Sequence, residues 1–99
     1  MEVLKEYKTT GDERHFGFHC PGCACDHLVP TPRWTWNGDM TRPSFNPSLL
    51  IFKDDPTLRC HSFITDGRIM FLTDCHHKLA GQTVELPGWD DSDWWGNNR

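Results

Sequence analysis

Apolar residues recur at a spacing of two along this chain, in short bursts cut off by glycine, proline, asparagine and aspartate. That pattern predicts β-strands joined by turns, not helices. Val3–Lys8 reads as a first strand, and His15–His19, with rings alternating with small or polar residues, as a second that runs into Cys20. His27–Val29 is a short extended piece ended by Pro30 and Pro32. Trp34-Thr35-Trp36 puts both indoles on one strand face, and Asn37-Gly38 signals a two-residue hairpin because both tolerate positive φ. The stretch Thr41–Ser48, with Pro43 and Pro47 among polar residues, reads as an ordered loop without regular structure. Leu49-Leu50-Ile51-Phe52 is a continuous apolar run, read as a buried strand, and Asp54-Asp55-Pro56 turns the chain.

The clearest unit is a hairpin in which Asp66-Gly67 joins Cys60–Thr65 to Arg68–Thr73. A two-residue turn there pairs Thr65 with Arg68. It sets Cys60, Ser62 and Ile64 on one face with Ile69, Phe71 and, if the strand continues, Cys75. His61 and Phe63 then face the other way, with Met70, Leu72 and Asp74. Downstream, Asp74 as an N-cap and Gly81 as a C′ residue predict one short helix near residues 75–80. Gln82–Leu86 forms a last strand. The expected architecture is a mainly β fold, a small antiparallel sheet with a knuckle at Cys20-Pro21-Gly22-Cys23 and that one helix.

Ninety-nine residues make one domain, expected over 1–87, followed by a tail over 88–99 rich in Trp and Asp. Only 36% of the chain is hydrophobic, so the core is thin and leans on large rings, with six Phe, five Trp and one Tyr. Trp34, Trp36, Phe45, Phe52, Phe63 and Phe71 read as core. Trp89, Trp94 and Trp95 either fold back over the sheet or bind a partner. The net charge of −4 leaves no broad electrostatic footprint for nucleic acid, apart from Arg33 and Arg42 beside the Trp34 and Trp36 indoles. No stretch is long and apolar enough for a membrane span. The first residues lack the basic-then-apolar layout of a secretory signal. The expected setting is therefore a reducing cytoplasm, with a protein as partner or substrate.

A domain this small with a thin core needs a staple, and its cysteines supply one. Cys20-Pro21-Gly22-Cys23 is a tight Cys-x-x-Cys turn that lets two sulfurs converge on one ion. Cys60 and Cys75 flank the predicted hairpin. Thiolates are soft donors, and zinc takes four such ligands at about 2.3 Å in closed sites. The expected ligands of a Zn²⁺ ion are thus Cys20, Cys23, Cys60 and Cys75, with His27, His61 and His77 able to replace a sulfur. Cys25 is left as a bystander on an exposed turn. A second reading of the same residues is catalytic: Cys75 in the first turn of a helix as a nucleophile, His77 or His61 as base, and Asp74 or Asp66 orienting an imidazole. His61 and Asp74 lie diagonally across the hairpin, an arrangement that suits an oriented histidine.

The ordered motifs Cys20-Pro21-Gly22-Cys23, Trp34-Thr35-Trp36-Asn37-Gly38-Asp39, Pro43-Ser44-Phe45-Asn46-Pro47-Ser48, Cys60-His61-Ser62-Phe63, Asp66-Gly67-Arg68-Ile69 and Asp74-Cys75-His76-His77-Lys78-Leu79-Ala80-Gly81 resemble a family of small domains of unknown function. Its members occur in tailed phages and prophages, and more distant relatives lie beside bacterial ubiquitin-like conjugation genes. The resemblance spans Phe16 to Pro87. It implies metal binding through Cys and His positions and a peptidase- or isopeptidase-like activity in the relatives. It also implies that the position of Cys75 can hold Ser, which suits a nucleophile better than a ligand. In that case His61, His27 or His77 would complete the metal site. For a phage-encoded member the compartment would be the host cytoplasm, and the alternative role a non-catalytic zinc module that binds a host protein.

Overall fold

A computed structural model describes residues 2–7 and 11–88. Eight strands build two antiparallel sheets: β1 (Lys5–Tyr7), β2 (Arg14–Cys20) and β3 (Cys25–Thr31) in the first, and β4 (Thr35–Trp36), β5 (Phe45–Ile51), β6 (Cys60–Thr65), β7 (Arg68–Phe71) and β8 (Thr83–Glu85) in the second. Within each sheet, strands follow in sequence order, so every connection is local. The mainly β expectation holds. The Trp-rich tail beyond Gly88 lies outside the described residues.

The core lies where the sheets meet. Phe16, Phe18, Cys20 and Val29 from the first sheet and Phe45, Leu49, Cys60, Ile64, Ile69 and Phe71 from the second form one buried cluster. Phe16 packs on Trp36 across the junction with ring centroids 4.3 Å apart. Trp34 and Trp36 are only partly buried against this cluster, whereas Phe52 and Phe63 are exposed. Those two phenylalanines leave the core for different reasons. Phe63 sits on the outward face of β6, and Phe52 follows β5 with φ of 53°.

The β6–β7 hairpin has the predicted register, Thr65↔Arg68 and Ile64↔Ile69. Asp66 and Gly67 take φ of 53° and 80°, as a type I′ turn requires. Asn37-Gly38 does not make the corresponding two-residue hairpin. Residues 37–44 form a longer loop before β5, with Asn37 Oδ1 accepting from the backbone N–H groups of Asp39 and Ser44. Leu49–Phe52 is not buried throughout: Leu49 is, while Leu50 faces solvent.

No helix forms among the described residues, and residues 75–80 fold as turns. The reason lies in where their backbone donors go. His76 N–H bonds to Arg59 O (2.9 Å), Gly81 N–H to Phe71 O (2.9 Å), and Ala80 N–H to His77 O (3.2 Å), three residues back. Leu79 N–H is taken by the His77 side chain (3.2 Å). Bonds to the flanking strands outcompete the four-residue ladder that a one- to two-turn helix could offer.

Candidate functional site

Strand alternation separates two neighbouring residues on β6. Cys60 points inward and is fully buried, and His61 points outward and is partly exposed. Each belongs to a different constellation.

On the inner side, Cys20 ends β2, and the turn through Pro21 and Gly22 brings Cys23 back toward it. Ala24 N–H bonds to Cys20 O (2.9 Å), and Cys23 N–H points at Cys20 Sγ (3.4 Å). His27 on β3 pairs with Phe18 and is held edge-on to its ring. Cys60 arrives from the other sheet with its sulfur 3.9 Å from that of Cys20. One donor atom from each of Cys20, Cys23, His27 and Cys60 lies within 4.8 Å of the others. These four are positioned to hold a metal ion.

Two observations fit an ion there. His27 Nε2 is buried with no hydrogen-bond partner among the described residues, a costly arrangement unless something accepts its lone pair. The sulfurs also cannot share charge by themselves. Hydrogen bonding from Cys60 pulls the Cys20 thiol well below its usual range, while the same contact pushes Cys60 up; burial and then the Cys20 charge raise Cys23. A divalent cation at the centre would allow all three to be thiolates.

Cys75 is not among those four, although its sulfur, that of Cys60 and a nitrogen of His77 lie within 4.8 Å of one another. Its hydrogen bonds go to the backbone of His61, from His61 N–H (3.2 Å) and to His61 O (3.1 Å). His77 has a fixed tautomer. A backbone N–H can only donate, so Leu79 N–H (3.2 Å) makes His77 Nδ1 an acceptor and leaves the proton on Nε2. That N–H faces Cys60 Sγ at 3.7 Å. Burial lowers the His77 pKa and keeps the ring neutral. His77 therefore donates to the Cys60 sulfur, and His76 Nε2 stands 3.4 Å from Cys23 Sγ. Gly22 has no room for a side chain, since a Cβ there would overlap the His77 ring.

On the outer side, His61 Nε2 lies 3.1 Å from Ser48 Oγ, and His61 Nδ1 lies 3.3 Å from Asp74 Oδ2. A carboxylate only accepts, so Nδ1 carries the proton and Nε2 is free to accept from the serine hydroxyl. The expected His61–Asp74 pair is present. Ser48 was no candidate from the sequence, and its placement is a product of the sheet. Between Phe45↔Ile64 and Leu49↔Ser62 the β5–β6 register slips, so that three residues of β5 face one of β6. Such bulges re-aim side chains. Leu50 sits opposite His61, and Ser48, two residues earlier on the same strand, becomes its diagonal neighbour. The Trp34 indole N–H bonds to Ser48 O (3.3 Å) and holds the bulged segment from behind. The signal available in sequence was the strand over Leu49–Phe52; extending it upstream by one residue would have aligned Ser48 with Leu50.

The face around this triad is apolar and open. Leu50, Phe63 and Met70 are 43%, 37% and 40% exposed, and Phe63↔Met70 is a cross-strand pair. A cavity of about 420 Å³ lies beside it, with Trp36, Phe45, Asn46 and Phe63 among its walls. Arg33 and Arg42, the candidate basic patch, each meet a carboxylate, Glu13 at 2.6 Å and Asp66 at 2.7 Å. No helix among the described residues is long and apolar enough to cross a membrane.

Neither a curated protein nor a solved structure matches the chain. A family profile described as "Bacterial ubiquitination-like system serine protease (BubE)" matches residues 2–72, from before β1 through Ser48 and His61 to two residues before Asp74. With more than two thirds of its length inside that match, the chain belongs to the family of bacterial ubiquitination-like system serine proteases.

Proposed function

We propose that this protein is a serine protease that cleaves a peptide or isopeptide bond at the end of a ubiquitin-like modifier, with Ser48 as nucleophile, His61 as base and Asp74 as its orienting acid. The observation that carries this reading is the continuous relay Ser48 Oγ–His61 Nε2 (3.1 Å) and His61 Nδ1–Asp74 Oδ2 (3.3 Å). Triads of this kind are recognised by geometry and roles, whatever their order in the chain. Membership of a family of serine proteases of a bacterial ubiquitination-like system supports the substrate class.

The chemistry follows from the relay. Ser48 Oγ attacks the scissile carbonyl carbon as its proton passes to His61 Nε2. Asp74, fixed against Nδ1–H, stabilises the imidazolium so formed. Collapse of the tetrahedral intermediate expels the amine, which takes the proton from His61 and leaves an acyl ester on Ser48. Water, deprotonated by the same nitrogen, attacks the ester carbonyl, and His61 returns the proton to Ser48 Oγ as the carboxylic acid is released. The exposed Leu50, Phe63 and Met70 give a folded modifier an apolar surface to rest on beside the relay.

Cys20, Cys23, His27 and Cys60 would hold Zn²⁺. Three sulfurs and one imidazole make a closed set with no open position, so its contribution is to staple the two sheets. Cys75 and His77, the alternative nucleophile and base, are committed to the His61 backbone and to the Cys60 sulfur. The test is a modifier carrying a C-terminal amide-linked fluorophore, together with fluorophosphonate labelling of the protein. Release of the fluorophore and a single adduct on Ser48, both lost in Ser48→Ala and His61→Ala, are expected. Labelling or turnover that persists in Ser48→Ala, or an adduct that forms on Cys75 in place of Ser48, would sink the reading.

A further inference from the structure

We propose that Cys75 is a positioning residue, whose thiol clamps the backbone of His61 and thereby holds Asp74 against the imidazole. The proposal rests on the Ser48–His61–Asp74 relay described above.

The need for a clamp follows from where β7 stops. The last β6–β7 pair is Ser62↔Phe71, so His61 sits one residue past the end of the ladder. Its carbonyl takes one N–H from Leu72 (2.9 Å). Its own N–H faces the region where the chain has already turned away. Cys75 fills that place. Cys75 N–H bonds to Leu72 O (3.2 Å), folding the turn back, and the sulfur accepts from His61 N–H (3.2 Å) while its S–H donates to His61 O (3.1 Å). One side chain thus does for His61 what a neighbouring strand residue does elsewhere.

The consequence reaches the relay directly. Cys75 follows Asp74 in the chain, so gripping both peptide groups of His61 brings the carboxylate to the same spot. The Asp74 side chain is 42% exposed, and it is its hydrogen bond to His61 that orients the carboxylate. On the far side, His76 N–H to Arg59 O (2.9 Å) ties the next residue to the segment leading into β6. A thiol that donates to a carbonyl keeps its proton, which is the state of neither a nucleophile nor a metal ligand. A hydroxyl can make the same two bonds, while a methyl group can make neither.

The experiment compares Cys75→Ala, Cys75→Ser and wild type as full-length protein purified with zinc. Three measurements are made: steady-state kinetics on the modifier–fluorophore amide, metal content, and ¹⁵N-histidine NMR of the His61 Nδ1–H. Cys75→Ala should lower kcat about 30-fold with KM within about twofold, as a displaced orienting group does, and lose the hydrogen-bonded Nδ1–H signal. Cys75→Ser should recover kcat to within about fivefold of wild type and keep that signal. Both should retain one metal per chain. Cys75→Val, close in shape but without donor or acceptor, replaces Cys75→Ala if the latter does not fold. Wild-type kcat in the Ala or Val variant would overturn the proposal. So would a Ser variant as slow as the Ala variant with metal intact, and so would metal loss in the Ser variant. Should Ser48→Ala remain active, the relay itself has failed. The NMR comparison then still decides whether the thiol positions His61.

Discussion

The three-stranded sheet and its β2–β3 turn contribute Cys20, Cys23 and His27 to the metal-ligand group and nothing to the Ser48–His61–Asp74 relay. The five-stranded sheet contributes Cys60 to the first, and with the turn after β7 it supplies the whole of the second. The difference separates a joint from a tool. On the proposed function, the first sheet completes the staple and the second carries the chemistry on its free face. Only β6 takes part in both, through neighbouring residues of opposite orientation. Residues 74–77 repeat that division in a single turn, with Asp74 and Cys75 serving His61, and His76 and His77 standing beside the ligand sulfurs.

The comparison predicts that damage on the inner side removes everything and damage on the outer side removes turnover alone. Cys60→Ser should show the largest effect. Structural zinc contributes on the order of 10 kcal/mol, which in a small domain is folding free energy, so the variant should be metal-free and lack a cooperative melting transition by circular dichroism. If it instead melts as wild type, the staple is not what joins the sheets. Ser48→Ala comes next: kcat should fall about 10⁴-fold, with metal content and melting temperature unchanged. Loss of metal in that variant would erase the distinction between the two sites. Trp34→Phe removes the indole N–H that holds Ser48 O, at about 1 kcal/mol. Its kcat should drop less than tenfold, with circular dichroism and metal content unaltered. Cys25→Ser should be the smallest, within about 0.5 kcal/mol of wild type in thermal unfolding, because Cys25 is exposed and outside the four-residue ligand group. A fall in metal stoichiometry in this variant would redraw the ligand set.

Parts of this arrangement are visible in the residues alone because they are local. Asp66-Gly67 can adopt the two positive φ angles of its turn at little cost, and that turn fixes the register from Thr65↔Arg68 outward. The register in turn sends Cys60 inward and His61 outward. Cys-x-x-Cys on a Pro-Gly turn is likewise a self-contained signal. Asn37-Gly38 shows the limit of such signals. The same chemistry yields a long loop, because the Asn37 side chain accepts the N–H groups of Asp39 and Ser44 and Thr35 pairs with Asn46, beyond a two-residue hairpin.

The rest was decided by contacts between segments that the sequence does not rank. His27 lies with the three sulfurs because β3 pairs with β2 and sets it opposite Phe18, while the thiol of Cys75 bonds to the backbone of His61. The turns at residues 75–80 replace a helix because the carbonyls of Arg59, just before β6, and of Phe71 on β7 take donors that a helix would use. Ser48 joins His61 only because a register slip between two strands turns its side chain to that face. The sequence by itself determined the strands, the tight turns and which residue types could do chemistry, since these follow from steric preference and alternation over a few residues. Which of those residues meet was left to the packing of two sheets, where burial and backbone hydrogen bonding across distant segments choose among partners that are locally equivalent.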